Sequence, residues 1–222
     1  MAEDLTGRRI LITSGPTRAD LDAVRYVSNR STGRLGAAMA AGALGRGAEV
    51  VLIAGPNSAL PDRGNEGRLQ VVDIETVPDL LEALEAELTG PQSPDAVLHA
   101  MAVLDYLPAE PQAGKKPSGE EEWTIRLVRG PKVIKSIRRW APEALLVQFK
   151  LEVGVDDEEL RRRALESLRA NRADLAVAND LSRIRGETHP VLVIDPRGRV
   201  LARPATKGEI ARALCDLLAE RL

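Results

Sequence analysis

Short apolar runs alternate with longer stretches of helical periodicity along the 222 residues of the chain. Ile10-Leu11-Ile12, Val50-Val51-Leu52-Ile53, Ala96-Val97-Leu98 and Leu145-Leu146-Val147 are continuous rather than alternating. Strands buried on both faces read this way, as in a parallel sheet covered by helices on each side. Residues 175–178 and 191–194 predict further strands, and Asp195-Pro196-Arg197-Gly198 predicts a turn that starts a terminal hairpin. Helix start signals lie between the strands. Thr206 and Glu209 have capping-box spacing, with Ile210, Leu214, Leu217 and Leu218 on one face. Thr76 and Pro78 open a second helix carrying Leu81, Leu84 and Leu88. Asp156-Asp157 open a third, with Leu160, Ala164 and Leu168 in one row. Residues 33–45 are rich in Ala and Gly, small enough to let a helix lie close against a sheet. The predicted fold is α/β, a doubly wound, mostly parallel sheet with helices on both faces and a C-terminal hairpin and helix.

Two stretches break the pattern. Residues 14–32 are polar and turn-rich, and residues 104–121 contain Pro108, Pro111, Pro117, Gly114 and Gly119. Long irregular segments in a compact domain are more often functional than idle, and the second is expected to be a flexible flap. Without repeats or a linker, residues 1–222 read as one domain. A formal net charge of −2 and no basic tail give no electrostatic reason to expect nucleic acid. No charged leader with a long apolar run opens the chain, and no stretch approaches ~18 consecutive apolar residues. No membrane association is expected. The single Cys215 excludes an intrachain disulfide framework and fits a reducing cytoplasm. Beside Leu214 and Leu217 it reads as a small buried hydrophobe rather than a nucleophile. Arg161-Arg162-Arg163 reads as a solvated helix face, with a phosphate clamp as the alternative. His99 and His189 read as packing residues.

Ligands of doubly wound sheets bind outside the carboxyl ends of the strands. The loop after the first strand begins Thr13-Ser14-Gly15-Pro16-Thr17-Arg18. Gly15 would let backbone amides approach a phosphate, with Ser14 and Thr17 as donors; an ordinary strand-to-loop turn is the other reading. The loop runs on through Arg25 to Asn29, Ser31, Thr32 and Gly33. Polar side chains just before a glycine-opened helix suit an anion or a developing oxyanion. Capping of that helix by Ser31 or Thr32 is the simpler alternative.

The string Ile12-Thr13-Ser14-Gly15-Pro16-Thr17, followed by Ser28-Asn29-Arg30-Ser31-Thr32-Gly33, closely resembles the opening of phosphopantothenoylcysteine synthetases. His99-Ala100-Met101-Ala102-Val103-Leu104-Asp105-Tyr106, Phe149-Lys150-Leu151-Glu152-Val153-Gly154-Val155 and Ala178-Asn179-Asp180-Leu181 are similar to later motifs of that Rossmann-like family, in its order. The resemblance implies an enzyme of coenzyme A biosynthesis that joins 4'-phosphopantothenate to L-cysteine, using CTP or ATP with Mg2+ and no flavin. The substrate carboxylate first attacks the α-phosphate, releasing pyrophosphate and leaving an acyl-nucleotide. The cysteine amine then attacks the acyl carbon and expels the nucleoside monophosphate. The first step concentrates negative charge at the α-phosphate, so cations must gather there. The resemblance also implies a homodimer in which one subunit's flap can serve the neighbouring site.

Site residues carry over by position. Asn29 and Lys115 are the expected catalytic residues: Asn29 donates to the acyl carbonyl in the second step, and Lys115 supports formation of the intermediate. Lys116 is the alternative register. Gly15, Thr17, Ala102, Asp105, Phe149, Lys150 and Asn179 are expected on the nucleotide, and Arg25, Asn29, Ser31, Thr32 and Gly33 on the substrate. No direct protein ligation of a metal is expected; Mg2+ would accompany the nucleotide phosphates near Asp105. Taken without the resemblance, Lys115 reads as a solvated loop lysine, Phe149 as core and Asn179-Asp180 as an Asx-turn.

Departures from the fused bacterial members are Leu107 where they have Arg, Ser167 and Asn171 where they have lysines, and Gly130-Pro131-Lys132-Val133 where they have Asn-Pro-Asp-Ile. They point to the stand-alone branch and leave CTP and ATP both open. The first predicted strand starts near residue 9, so the flavin decarboxylase of fused members is expected on a separate chain, acting next in the pathway. Two other classes compete. One is a non-catalytic or regulatory homologue of the same fold. The other, a nicotinamide-binding oxidoreductase, would want a G-x-G-x-x-G turn and an acidic residue ending the second strand, where this chain has Ala54-Gly55-Pro56.

Overall fold

The computed structural model describes residues 4–62, 67–119 and 121–222. In chain order the elements are β1 (Arg9–Ser14), β2 (Arg18–Asp20), β3 (Tyr26–Ser28), α1 (Arg34–Leu44), β4 (Glu49–Ala54), β5 (Leu69–Asp73) and α2 (Val77–Thr89). Then come β6 (Ala96–His99), β7 (Tyr106–Pro108), β8 (Leu127–Arg129), α3 (Val133–Trp140), β9 (Leu145–Glu152) and α4 (Asp157–Asn171). The chain closes with β10 (Leu175–Asp180), β11 (Val191–Ile194), β12 (Val200–Ala202) and α5 (Lys207–Ala219).

Eight strands form one sheet in the order β12-β11-β10-β9-β6-β1-β4-β5. It is parallel from β10 through β5 and antiparallel at β11 and β12. The continuous apolar runs have the physical cause expected of them. Along β1, Ile10 and Ile12 pack with α1 and α5 while Leu11 packs with the opposite cluster, beneath α2, α3 and α4. Each such side chain, fully enclosed, contributes on the order of 1.5–3 kcal/mol. Cys215 is buried in the first of these layers, and burial raises its thiol to about 11.

The helix starts fall where the caps predict them. Thr76 and Asp79 form a capping box on α2, Thr206 and Glu209 another on α5, and the Asp156 carboxylate accepts from Glu159 N on α4. In α2 the buried row is Val77, Leu80, Leu84 and Leu88, so Leu80 takes the central place expected of Leu81. The residue 161–163 arginines are not a phosphate clamp. Arg162 and Arg163 share Glu159, Arg163 also pairs with Glu152, and Arg161 donates to Gly198 O.

Sequence patterning did not reveal β5, α3 or the small hairpins β2–β3 and β7–β8. Edge strand β5 is half exposed, and α3 is only eight residues long, with Val133, Ile137 and Arg138 its buried residues. Among the described residues, no helix is long and apolar enough to cross a membrane.

Candidate active site

Strands β1 and β6 lie side by side, but the chain leaves β1 toward β4 and β6 toward β9. Such a divergence opens a crevice at the carboxyl ends of the two strands. Their pairing continues past the strand ends. Ala102 N donates to Gly15 O (2.8 Å), Thr17 N to Ala102 O (3.2 Å) and Leu104 N to Thr17 Oγ1 (3.0 Å). Thr17, expected on the nucleotide, is fully enclosed, and its hydroxyl accepts from Leu104 N and fastens the 102–104 segment. Asn29 Nδ2 donates to Ala102 O (3.0 Å) and Val103 O (3.2 Å). Two carbonyl acceptors fix the orientation of this amide, so Oδ1 is its outward atom. The half-buried His99 closes β6 with Nδ1 2.8 Å from Thr13 Oγ1. Desolvation pushes its pKa down to about 4, leaving a neutral packing residue.

Across the crevice lies a cradle built on two left-handed glycines, Gly15 (φ +80°) and Gly33 (φ +70°). A Cβ on Gly15 would lie 1.7 Å from Ser58 Oγ, and one on Gly33 would lie 2.8 Å from Ser58 Cβ. The loop after β4 is tied in place by Ala59 N donating to Thr32 O (2.9 Å). Ser58 Oγ is buried there with no hydrogen-bond partner among the described residues. Helix α1 begins at Gly33 with no side-chain cap and no acidic residue in its first turn. Capping by Ser31 or Thr32, the simpler alternative, is therefore not realised. First-turn amides remain without intrahelical partners, at the positive end of the helix dipole.

The remaining predicted residues divide. Asp105 is exposed, its carboxylate paired with Lys132 Nζ at 2.6 Å and its carbonyl accepting from Gly130 N. Among the described residues, no group of three or more His, Cys, Asp or Glu could hold a metal ion. The exposed Asp105 carboxylate fits Mg2+ only when released from Lys132, since the ion takes one or two protein oxygens and fills its shell with phosphate and water. Lys115 is exposed on the 104–121 segment, which is partly ordered by β7 pairing with β8. Arg25, expected on the substrate, instead gives its guanidinium to Asp22 and to Lys116 O. Lys150 pairs with Glu152 at 2.9 Å rather than standing free for phosphate. Phe149 is half-buried and packs against the α1/α5 layer. Asn179 is buried on β10, and Asp180 makes the Asx-turn, accepting from Ser182 N and from Gly154 and Val155 N.

Ser167 and Asn171 are joined to the sheet through Gln148. Asn171 Nδ2 donates to Gln148 Oε1 (2.8 Å) and to Ser167 Oγ (3.3 Å). Helix α4 starts just after the carboxyl end of β9 and runs back along the sheet. Gln148 lies in register with His99, which closes β6, so Asn171 reaches the sheet close to that strand end. Sequence reading missed Asp22, Ser58, Trp123 and the role of Lys132. The (i, i+3) charge pair of Asp22 and Arg25 was the one local signal for the first.

Comparison with known proteins places this architecture. The family model described as DNA/pantothenate metabolism flavoprotein C-terminal domain matches residues 5–222. The coenzyme A biosynthesis bifunctional protein CoaBC of Thermococcus kodakarensis is 35% identical over 99% of the chain, which spans 53% of that protein. Its Mycobacterium tuberculosis counterpart is 32% identical over 99% of the chain, which spans 52% of it. The chain thus spans about half the length of these relatives. The crystal structure of a DNA/pantothenate metabolism flavoprotein from Streptococcus pneumoniae superposes with a TM-score of 0.88 at 30% identity, covering 97% of this chain and 100% of that one. That of the C-terminal domain of a CoaBC protein gives 0.79 at 31% identity, covering 99% of this chain and 97% of that one. The chain belongs to the DNA/pantothenate metabolism flavoprotein C-terminal domain family, which bears out the resemblance to phosphopantothenoylcysteine synthetases read from its motifs.

Proposed function

We propose that the chain is one ligase domain of coenzyme A biosynthesis that joins 4'-phosphopantothenate to L-cysteine through an acyl-nucleotide formed from CTP or ATP. The observation that carries this reading is the meeting of Asn29 and the glycine-opened start of α1 at the β1/β6 switch point. The uncapped amides, with Gly15, Ser31, Thr32 and Gly33, receive phosphate or carboxylate oxygens. Ala102 and Asp105 border the nucleotide, with Phe149 and Asn179 on the β9–β10 side. Asp105 would border Mg2+ carried by the nucleotide, which would supply neutralisation of the charge developing on the phosphates. Lys115 adds a cation for the first step. Because both Nδ2 hydrogens of Asn29 serve backbone carbonyls, its part in the second step is better filled by Oδ1. That atom accepts from the cysteine amine and aims its lone pair at the acyl carbon. The enzyme acts as a cytoplasmic homodimer; the exposed apolar side chains of Val24, Tyr26, Tyr106, Leu127 and Val128 on the two small hairpins support the association.

The test supplies Mg2+, 4'-phosphopantothenate and cysteine with CTP or ATP in parallel, and follows pyrophosphate and amide product together. Both products are expected with at least one nucleotide. Asn29→Asp should release pyrophosphate but stall amide formation, and Lys115→Gln should cut the first step to a small residual rate. Absence of phosphopantothenate-dependent pyrophosphate with either nucleotide would overturn the enzyme reading in favour of a non-catalytic homologue.

A further inference from the structure

Segments some ninety positions apart meet at the Asp22 carboxylate, which is fully enclosed. Oδ1 accepts from Val24 N (2.8 Å) and Arg25 N (2.7 Å), closing the tip of the β2–β3 hairpin. Oδ2 accepts from Arg25 Nε (3.0 Å) and Nη2 (2.6 Å), and also from Lys116 N (3.0 Å). Arg25 Nη2 donates in turn to Lys116 O at 2.8 Å. One peptide-flanked residue of the flap is thus gripped at both its amide and its carbonyl. Two further backbone bonds extend the grip: Ala23 N to Gly114 O (3.5 Å) and Gln112 N to Leu21 O (3.0 Å). From the far side of the flap, the Trp123 ring lies 4.4 Å from the Arg25 guanidinium. A planar, always-charged guanidinium suits this place, since it can fork onto a carboxylate while stacking on an aromatic face.

The geometry points to Asp22, Arg25 and Trp123 as positioning residues that latch the flap and fix the backbone on both sides of Lys115. Gly114 and Lys116 are held, while the Lys115 side chain between them stays exposed. Tying down the two neighbours removes much of the chain entropy that a catalytic lysine on a free loop would lose at each turnover. Arg25 is then a poor substrate ligand, because a substrate carboxylate would have to displace Asp22. The kinetic part of this inference rests on the proposed role of Lys115; the structural part does not.

Limited proteolysis separates the two. Trypsin can cut between Lys115 and Lys116, whereas the Lys116-Pro117 bond resists it. In the intact chain, Asp22→Asn, Arg25→Lys and Trp123→Leu should each speed cleavage at Lys115 by about tenfold, as expected when a local opening loses a charge-assisted or stacked contact. Hydrogen exchange across residues 112–119 should rise in parallel, with the sheet amides unchanged. If Asp22→Asn does not fold, the Trp123 and Arg25 variants decide. In turnover, the latch variants should lower the rate of pyrophosphate release by about tenfold in the wild-type background and by less than about twofold in a Lys115→Gln background. Equal protease and exchange protection in wild type and variants would overturn the latch. Losses that add fully to Lys115→Gln would overturn the positioning role. Should the wild type release no pyrophosphate, the ligase reading fails while protease and exchange still judge the latch.

Discussion

At Gly15 and Gly33 the backbone is left-handed, and a methyl group would run into Ser58. The left-handed conformation alone costs a non-glycine residue about 1–2 kcal/mol, and the contact with Ser58 adds to it. Gly15→Ala should therefore lower the unfolding free energy, measured by urea titration, by at least that much. Gly114→Ala, with open space around its Cβ position, should leave the unfolding free energy within about 0.5 kcal/mol of wild type. Both cradle glycines were legible in the sequence, since a glycine after a strand and another before a helix are punctuation. Ser58 was not, because nothing near it in sequence marks a hydroxyl that only the fold presses between two distant glycines. Arg25 and Lys150 mark the same limit from the other side. Their charge was visible, but Asp22 and Glu152 claim them in the folded chain.

Helices were legible to the degree that they carry their own start signals. Thr76 both accepts from Asp79 N and leaves its own amide to the Asp79 carboxylate. Thr76→Ala should destabilise the chain by about 1 kcal/mol, measured by urea unfolding. Ser restores the cap and should recover most of the loss. By contrast, α3 carries no side-chain cap and buries only Val133, Ile137 and Arg138, so periodicity had almost nothing to register. The 14–32 stretch read as irregular because β2 and β3 are three residues each, too short for an alternating pattern. That hairpin is closed by Asp22, which accepts from Val24 N and Arg25 N, and is tied in turn to the flap at Lys116.

For the whole molecule, the switch between β1 and β6 decides where chemistry can sit, and buried polar groups spread over the fold set a response to pH. His99 and His189 both have pKa values lowered by burial from 6.5 to about 4. Unfolded histidines take up protons near pH 6.5 while the folded ones do not, so stability falls as pH drops from about 6.5 to about 4. Asp180 adds a second, lower window. Backbone amides, led by Gly154 N, hold its pKa down from 3.8 to about 2. Its contribution is present above pH 3.8 and is lost as pH falls toward 2. Urea midpoints at pH 7, 5 and 4 should fall in that order, and His99→Gln should flatten the first part of the slope. A midpoint that rises on acidification would contradict the buried, neutral state of the histidines.

The sequence by itself determined the layered α/β plan, the parallel core strands, the capped helices and the motif order that marks the family. Each is written in neighbouring residues: runs buried on two faces, a cap three positions from its partner, a glycine where φ must turn positive. Only the tertiary structure decided which groups are free to act. It fastened Thr17 to Leu104, gave Arg25 to Asp22 and the flap, set Lys132 beside Asp105, and turned Ser167 and Asn171 inward to Gln148. These pairings join residues distant in the chain, and local spacing carries no information about which charges and hydrogen-bonding groups the sheet order will bring together.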